Sequence, residues 1–238
     1  MNTDDRFYFR QLLAGHDFAR DDQIAQQMVN YCYLIGDRER GECIAVDPAY
    51  AIGELLEIVG AEGLRLTGAL VTHYHQDHVG GDLGGWGIEG VRELLAAQPV
   101  PIHVQDAEAH GVMRVTGASE SDLVRHQGGD IVKVGDIDIT LVHTPGHTPG
   151  SQCFLVDGRL VSGDTLFLDG CGRTDLPGGD ADALYDSIGT LAALPDDTVL
   201  YPGHHYSPEH SLTMDETRRR NIVFRPKTRE QWLMMFGN

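Results

Sequence analysis

A mixed α/β fold is predicted by three features of this 238-residue chain. Short apolar runs of strand type recur along it. Segments of helical period lie between them. The strand-like runs repeatedly empty into glycine-bearing turns that carry His or Asp.

The elements follow in chain order. Ala51–Val59 reads as the first helix. Gly68-Ala69-Leu70-Val71-Thr72 is a continuous apolar run and reads as a buried strand. It leads into Thr72-His73-Tyr74-His75-Gln76-Asp77-His78, and then into Val79-Gly80-Gly81-Asp82, where glycines allow an unusual turn. Ile88–Ala97 and Ala107–Met113 are the next helices. The stretch from Gly80 to Pro101, with Trp86, is expected either to roof a site or to be a packing insertion. From Asp136 to His143 the residues alternate, with Ile137, Ile139 and Leu141 on one face, which is a strand pattern. It runs into a rigid turn, Thr144-Pro145-Gly146-His147-Thr148-Pro149-Gly150. Cys153–Val156 and Arg159–Val161 flank Asp157-Gly158, a strong hairpin signal. The second of these strands empties into Ser162-Gly163-Asp164-Thr165. Ala181–Leu191 is a helix that Asp180 would cap. Thr198–Tyr201 is a short strand entering Pro202-Gly203-His204-His205-Tyr206.

Three imidazoles and a carboxylate within the HxHxDH string are costly unless they are solvated, paired or used. Their cheapest common use is a divalent transition metal. His147, Asp164 and His204 stand at comparable strand ends and complete a set of five His and two Asp. Imidazole and carboxylate donors suit zinc, iron or manganese. A three-His group and an Asp-His-His group sharing one carboxylate would form a two-metal cage, with the ions roughly 3.5–4 Å apart. His16, His103, His110, His126 and His210 read as structural or surface residues. His143 and His205 read as neighbours of ligands.

These motifs, spread from about Asn30 to Tyr206, resemble the metallo-β-lactamase superfamily, and within it the glyoxalase II-like hydrolases and the persulfide dioxygenases. The resemblance implies a single-domain αββα sandwich, expected over residues 1–212. Residues 213–238, with the Arg218-Arg219-Arg220 run and the later Trp232, Leu233, Met234, Met235 and Phe236, read as an amphipathic tail that packs on the domain or on the partner subunit of a homodimer. It implies that His73, His75 and His147 hold a first metal, that Asp77, His78 and His204 hold a second, and that Asp164 bridges them. Asp77 and Asp164 become the catalytic carboxylates. An Asp at position 164 argues against a class B β-lactamase, many of which use Cys near this point, and Cys171 lies seven residues later. Asp169-Gly170-Cys171-Gly172-Arg173-Thr174-Asp175 is similar to the substrate-side loop of glyoxalase II proteins, so Arg173 and Tyr206 are expected to contact an anionic thiol carrier.

The implied reaction is hydrolysis of a thioester such as S-lactoylglutathione by a hydroxide held between two metals, zinc first, with iron or manganese as alternatives. The tail from Thr213 is too short for the extra helical domain of full-length glyoxalase II. The second expectation is therefore a persulfide dioxygenase with one Fe(II) on His73, His147 and Asp164.

Composition agrees with an ordinary soluble enzyme. The formal net charge of −18 tells against nucleic acid as a partner, since phosphate binding relies on Lys and Arg. The start, Met1 to Arg6, has no basic-then-apolar signal pattern, and no run approaches the ~18 apolar residues of a membrane helix. The four cysteines lack zinc-type spacing and fit a reducing cytoplasm.

Overall fold

Alternation within single strands sets the layers. In the computed structural model, which describes residues 6–237, the chain opens with β1 (Phe7–Leu13), α1 (Gln23–Met28) and β2 (Tyr31–Asp37). Along β2, Tyr31, Tyr33 and Ile35 join one apolar cluster while Cys32 and Leu34 join another. A two-residue period thus builds a core on each face of the sheet. The first half continues through β3 (Glu42–Val46), α2 (Ile52–Ala61), β4 (Arg65–Leu70), the single turn α3 (Gln76–Val79), a hairpin of β5 (Gly81–Leu83) and β6 (Trp86–Ile88), α4 (Val91–Ala97), β7 (Ile102–Gln105), α5 (Ala109–Thr116) and β8 (Leu123–His126). Its sheet has the order β1-β2-β3-β4-β7-β8, antiparallel as far as β3 and parallel from there on.

The second half consists of β9 (Ile131–Val134), β10 (Ile137–His143), β11 (Gln152–Val156), β12 (Arg159–Gly163), a two-residue hairpin of β13 (Leu166–Phe167) and β14 (Gly170–Cys171), α6 (Ala181–Ala192), β15 (Val199–Pro202), β16 (Leu212–Thr213), α7 (Met214–Arg220) and α8 (Arg229–Phe236). Its sheet has the order β16-β15-β12-β11-β10-β9, with β12 parallel to β15. Ile139, Leu141, Phe154, Val156 and Val161 meet the inward residues of the first sheet, while Cys153 and Leu160 face α6. Three apolar clusters therefore separate four layers: α2, α4 and α5; sheet; sheet; α6 with α7 and α8. This is the αββα sandwich.

Several boundaries differ from the sequence expectation. β4 ends at Leu70, two residues before the expected limit, because the Thr72 amide turns to the Asp47 carboxylate (2.7 Å) and leaves the strand ladder. The helix expected from Ile88 begins at Val91, because Trp86–Ile88 pairs with Gly81–Leu83. α5 runs on to Thr116 and stops at Gly117, which takes a left-handed φ of 77°. Asp180 caps α6, its carboxylate accepting from Ala183 N at 3.0 Å. In the Gly80–Pro101 stretch, Ile88, Val91 and Leu94 pack into the helix-side core, Leu83 borders the cleft described below, and Trp86 is exposed.

Beyond Thr213, α8 lies on α6. Trp232 is 1% exposed and meets the Tyr185 ring edge-on at 5.7 Å, and Arg229 pairs with Asp182 and Asp186. The opening residues 1–5 and Asn238 lie outside the described residues. No helix among the described residues is long and apolar enough to cross a membrane.

Because Trp232 is among the largest fully buried side chains of the molecule, Trp232→Ala is expected to lower stability by about 3–5 kcal/mol. Urea unfolding of the two proteins tests this. An unchanged midpoint would mean that α8 is peripheral to the fold.

Candidate metal centre

Strand direction brings the site residues together. β3 and β4 are parallel, so their C-terminal ends, leading to Asp47 and His73, share an edge, and antiparallel β2 starts beside them just after Asn30. In the other sheet, parallel β12 and β15 end at Asp164 and His204. Backbone hydrogen bonds from Gln152 N to Thr72 O (2.9 Å) and from Tyr31 N to Gly203 O (2.8 Å) join the two edges. Residues scattered over more than a hundred positions of sequence are thereby assembled along one rim.

The donor atoms of His73, His75 and His147 form one group lying within 4.8 Å of one another, and those of Asp77, His78 and His204 form a second. His75 Nδ1 is 3.0 Å from His147 Nε2, and His78 Nε2 is 3.2 Å from His204 Nε2. Metal–nitrogen bonds of roughly 2.0–2.1 Å in tetrahedral geometry put ligand atoms about 3.3 Å apart. The observed separations are edges of that size. Asp164 lies between the groups, its Oδ2 3.7 Å from His147 Nε2 and 3.4 Å from His204 Nε2, its Oδ1 3.4 Å from His78 Nε2. All seven residues singled out in the sequence are thus brought together.

The far sides of the rings fix which nitrogen faces inward. His147 Nδ1 donates to Arg173 O (2.7 Å) and His204 Nδ1 to Met28 O (2.7 Å). His78 Nδ1 donates to Asp47 (2.9 Å). His73 Nδ1 donates to Thr72 Oγ1 (3.0 Å), whose own hydrogen goes to Asp47 (2.6 Å). Each of these four rings turns its Nε2 to the centre, the arrangement metal-ligating histidines adopt. His73 Nε2 and Asp164 Oδ1 are buried with no hydrogen-bond partner among the described residues. Buried polar atoms are seldom left so, and a divalent cation satisfies both. The residues present therefore fit metal ions.

Electrostatics point the same way. Burial holds the His73 imidazole well below its ordinary value, with His78, His75 and His147 adding to it. Burial and His147 bring His75 down to about 4. Both rings are neutral and available as donors. For His78, burial acts downward, but Asp77, Asp164 and Asp47 outweigh it and raise the ring to about 10. For Asp164, burial acts upward, and His204 and His78 outweigh it, holding the carboxyl well below the usual range. The centre gathers three carboxylates around buried imidazoles and is poised for positive charge.

Beside the centre opens a cleft of about 800 Å³, bordered by Tyr74, Arg114, Phe167, Cys171, Arg173 and Tyr206 among others. The Arg173 guanidinium is bound by Asp175, while its carbonyl orients His147. Tyr206 stacks on His204 (4.6 Å, 7°) and is 56% exposed, so it lines the cleft and is not packed in the core. The β13–β14 wall is held from the tail: buried Asn221 donates to Phe167 O (2.8 Å) and Gly170 O (2.9 Å), and Arg220 pairs with Asp169. The remaining histidines stay outside. His143 donates to Pro149 O, His205 stacks on His210, and His103 pairs with His126.

Three supporting residues escaped the sequence reading. Asp47 orients both His73 and His78. Asn30 donates to Asp77 (3.1 Å) and accepts from Tyr50. Glu108, fully buried, accepts from Tyr74 N, Thr148 Oγ1 and Gly150 N, each at 2.7 Å, and so ties the His73–His75 turn to the His147 turn. Asp47 and Asn30 adjoin apolar strands, the same signal that marked the ligands. Glu108 carries no such signal. Asp47→Ala is expected to weaken metal binding roughly 10–100-fold, read by competition with a chromophoric chelator. Undiminished affinity, with the circular dichroism spectrum unchanged, would remove Asp47 from this role.

The model of the Metallo-beta-lactamase superfamily matches residues 26–204. A hydroxyacylglutathione hydrolase of Alkalilimnicola ehrlichii is 40% identical over 179 residues, 75% of this chain and 62% of that protein. A probable polyketide biosynthesis zinc-dependent hydrolase, BaeB, of Bacillus velezensis is 30% identical over 209 residues, 87% of each chain. The crystal structure of ETHE1 from Myxococcus xanthus superposes with a TM-score of 0.77 at 32% identity, covering 97% of this chain and 90% of that one. The match spans less than two thirds of the length of this hydroxyacylglutathione hydrolase and of those of Tolumonas auensis and Aeromonas salmonicida. The sandwich, the seven converging ligand-type residues and these matches lead to one conclusion: the chain belongs to the metallo-beta-lactamase superfamily.

Proposed function

We propose that the protein is a cytoplasmic metal-dependent hydrolase of a small thioester built on an anionic thiol, with S-lactoylglutathione as the substrate to test. The observation that carries this reading is the pair of adjoining donor groups with Asp164 between them. When bound, two divalent ions, zinc first and iron or manganese otherwise, supply a nucleophilic water at neutral pH and polarise a carbonyl oxygen. His73, His75 and His147 would hold one ion and Asp77, His78 and His204 the other. Asp164, which lies between the two groups, would contribute to both sites, and its carboxylate could orient the attacking water by accepting a hydrogen bond from it. A thioester carbonyl would reach this point through the cleft, whose wall carries Tyr206 and Phe167. The departing thiolate needs little protonation, because thiols are fairly acidic.

No protein nucleophile is called for. Burial pushes the Cys171 thiol up to about 12, so it stays protonated and poorly nucleophilic. All four cysteines are free, as a reducing compartment requires. The acid excess of the chain disfavours an acidic carrier protein or a nucleic acid and favours a small substrate. The identity to hydroxyacylglutathione hydrolases supports the hydrolytic reading.

A second reading has one specific support, the likeness to ETHE1 over nearly the whole of both chains. In it a single Fe(II) would sit on His73, His147 and Asp164 and oxidise glutathione persulfide with O2, and the other donors would orient these three.

Metal analysis of protein purified without added metal, together with both assays, decides between them. The expected result is about two zinc-like ions per chain and hydrolysis of S-lactoylglutathione. One iron per chain with O2 uptake on glutathione persulfide would replace the first reading by the second. Asp164→Ala is expected to abolish turnover in either case with the fold intact, and surviving turnover would show that Asp164 does not bridge.

A further inference from the structure

Two guanidinium groups border the cleft, Arg114 and Arg173. They differ in what they already hold. Arg173 is occupied by Asp175 through two nitrogens. Arg114 makes no ion pair among the described residues. This is unusual in a chain whose acidic side chains number 36 against 18 basic ones. Most other arginines find carboxylates here, exposed ones such as Arg92, Arg125 and Arg219 among them, and Arg20 and Arg225, which also lack an ion pair among the described residues, do not border the cleft. A guanidinium left uncommitted on a cleft wall, amid such an excess of acid, is available to an anion from outside the protein.

The surroundings of Arg114 are built. Arg114 follows Gly111 by three residues on α5, so both face the same way. That face meets Tyr74, the residue between ligands His73 and His75. A Cβ at position 111 would come 2.6 Å from the Tyr74 ring, so only glycine lets the helix seat there. The ring is fixed at its other end by a hydrogen bond from Tyr74 Oη to Pro177 O (2.9 Å), and at its backbone by Glu108. Arg114 lies over this ring, 5.5 Å from its centroid, a cation–π contact that positions the group without consuming its N–H donors. The Tyr74 ring is in turn 5.0 Å from the ring of His75. The free cation thus stands one aromatic ring away from the metal ligands.

We propose that Arg114 is a specificity-determining residue that receives a carboxylate carried on the thiol portion of the substrate, several bonds from the thioester. The inference rests on the thioester reading above and narrows it to acyl thiols whose carrier is a carboxylate-bearing small molecule. The thioester put forward above for testing, S-lactoylglutathione, carries carboxylates and no phosphate on its thiol portion. The planar donor fork matches a carboxylate directly. Arg114 acts on binding and leaves the chemistry to the centre.

The test uses the metal-loaded full-length protein. Calorimetry compares the binding of S-methylglutathione with that of its diethyl ester, in the native protein and in Arg114→Gln. The expected result is roughly tenfold weaker binding of S-methylglutathione by the variant, with the ester bound equally by both. In kinetics, Arg114→Gln should raise KM for S-lactoylglutathione by a similar factor with kcat and metal content unchanged. It should leave S-lactoyl-N-acetylcysteamine, which lacks the carboxylates, unaffected, and Arg114→Lys should restore part of the loss. Equal binding of S-methylglutathione by both proteins, or an equal loss with the ester, overturns the proposal. If the binding difference holds but neither thioester is hydrolysed, the thioester reading falls while Arg114 remains an anion anchor.

Discussion

The convergence of seven donor side chains on one buried point is the constraint on which the structure depends. Histidine nitrogens stand 3.0–3.2 Å apart, turned towards each other and towards Asp164. Such a cluster is unfavourable by itself, since burying uncompensated charge costs several kcal/mol per ion. A divalent cation converts each of these repulsions and orphaned atoms into a bond. The fold therefore has to hold the cluster firmly before any cation arrives, and the outer hydrogen bonds do this. Asp47 alone fixes two ligand rings and the Thr72 backbone.

Layering and site are the same arrangement seen at two scales. A two-residue period in β2, β10 and β11 makes each sheet apolar on both faces, which forces helices onto the outside and one sheet against the other. Packing the sheets face to face brings their ligand-bearing rims together. The helical crossovers that make β3 parallel to β4 and β12 parallel to β15 leave the C-terminal ends of these strands at that rim. None of the seven donor residues sits inside a strand. Each lies just beyond a strand end or in a turn, where rigid backing meets backbone free to turn. Glu108 crosses from the helical side to bind both the His73–His75 turn and the His147 turn, so the two halves of the chain cannot shift independently at the centre.

This explains what the sequence discloses and what it hides. The ligands are legible because metal chemistry demands uncommon residue types at short spacing, and HxHxDH has few other uses. The Asp157-Gly158 hairpin is legible because both residues take positive φ, 46° and 71°, a local requirement written in local residue types. The start of α4 is not legible: whether Trp86–Ile88 is helix or strand depends on its pairing with Gly81–Leu83, which local propensity does not contain. Glu108 is hidden for the same reason. Its partners lie 34 to 42 residues away, and nothing in Ala107-Glu108-Ala109 distinguishes it from a solvated glutamate. Arg173 shows the converse: its string is recognisable and it borders the cleft, but Asp175, two residues on, occupies its side chain.

The centre and the cleft divide the chemistry between them. An imidazole and carboxylate cage of this kind accepts zinc, iron or manganese, so its donor set does not by itself choose a reaction or a substrate. Selection has to come from the wall. One side of that wall is the Tyr74 ring with Arg114 upon it, positioned by α5. The opposite contribution is the β13–β14 hairpin, whose carbonyls hang on Asn221 and whose Asp169 is tied to Arg220. Both anchors belong to the segment after Thr213, and Trp232 secures that segment in the core beneath α6. The end of the chain, which carries none of the seven donor residues, therefore shapes the cleft beside them.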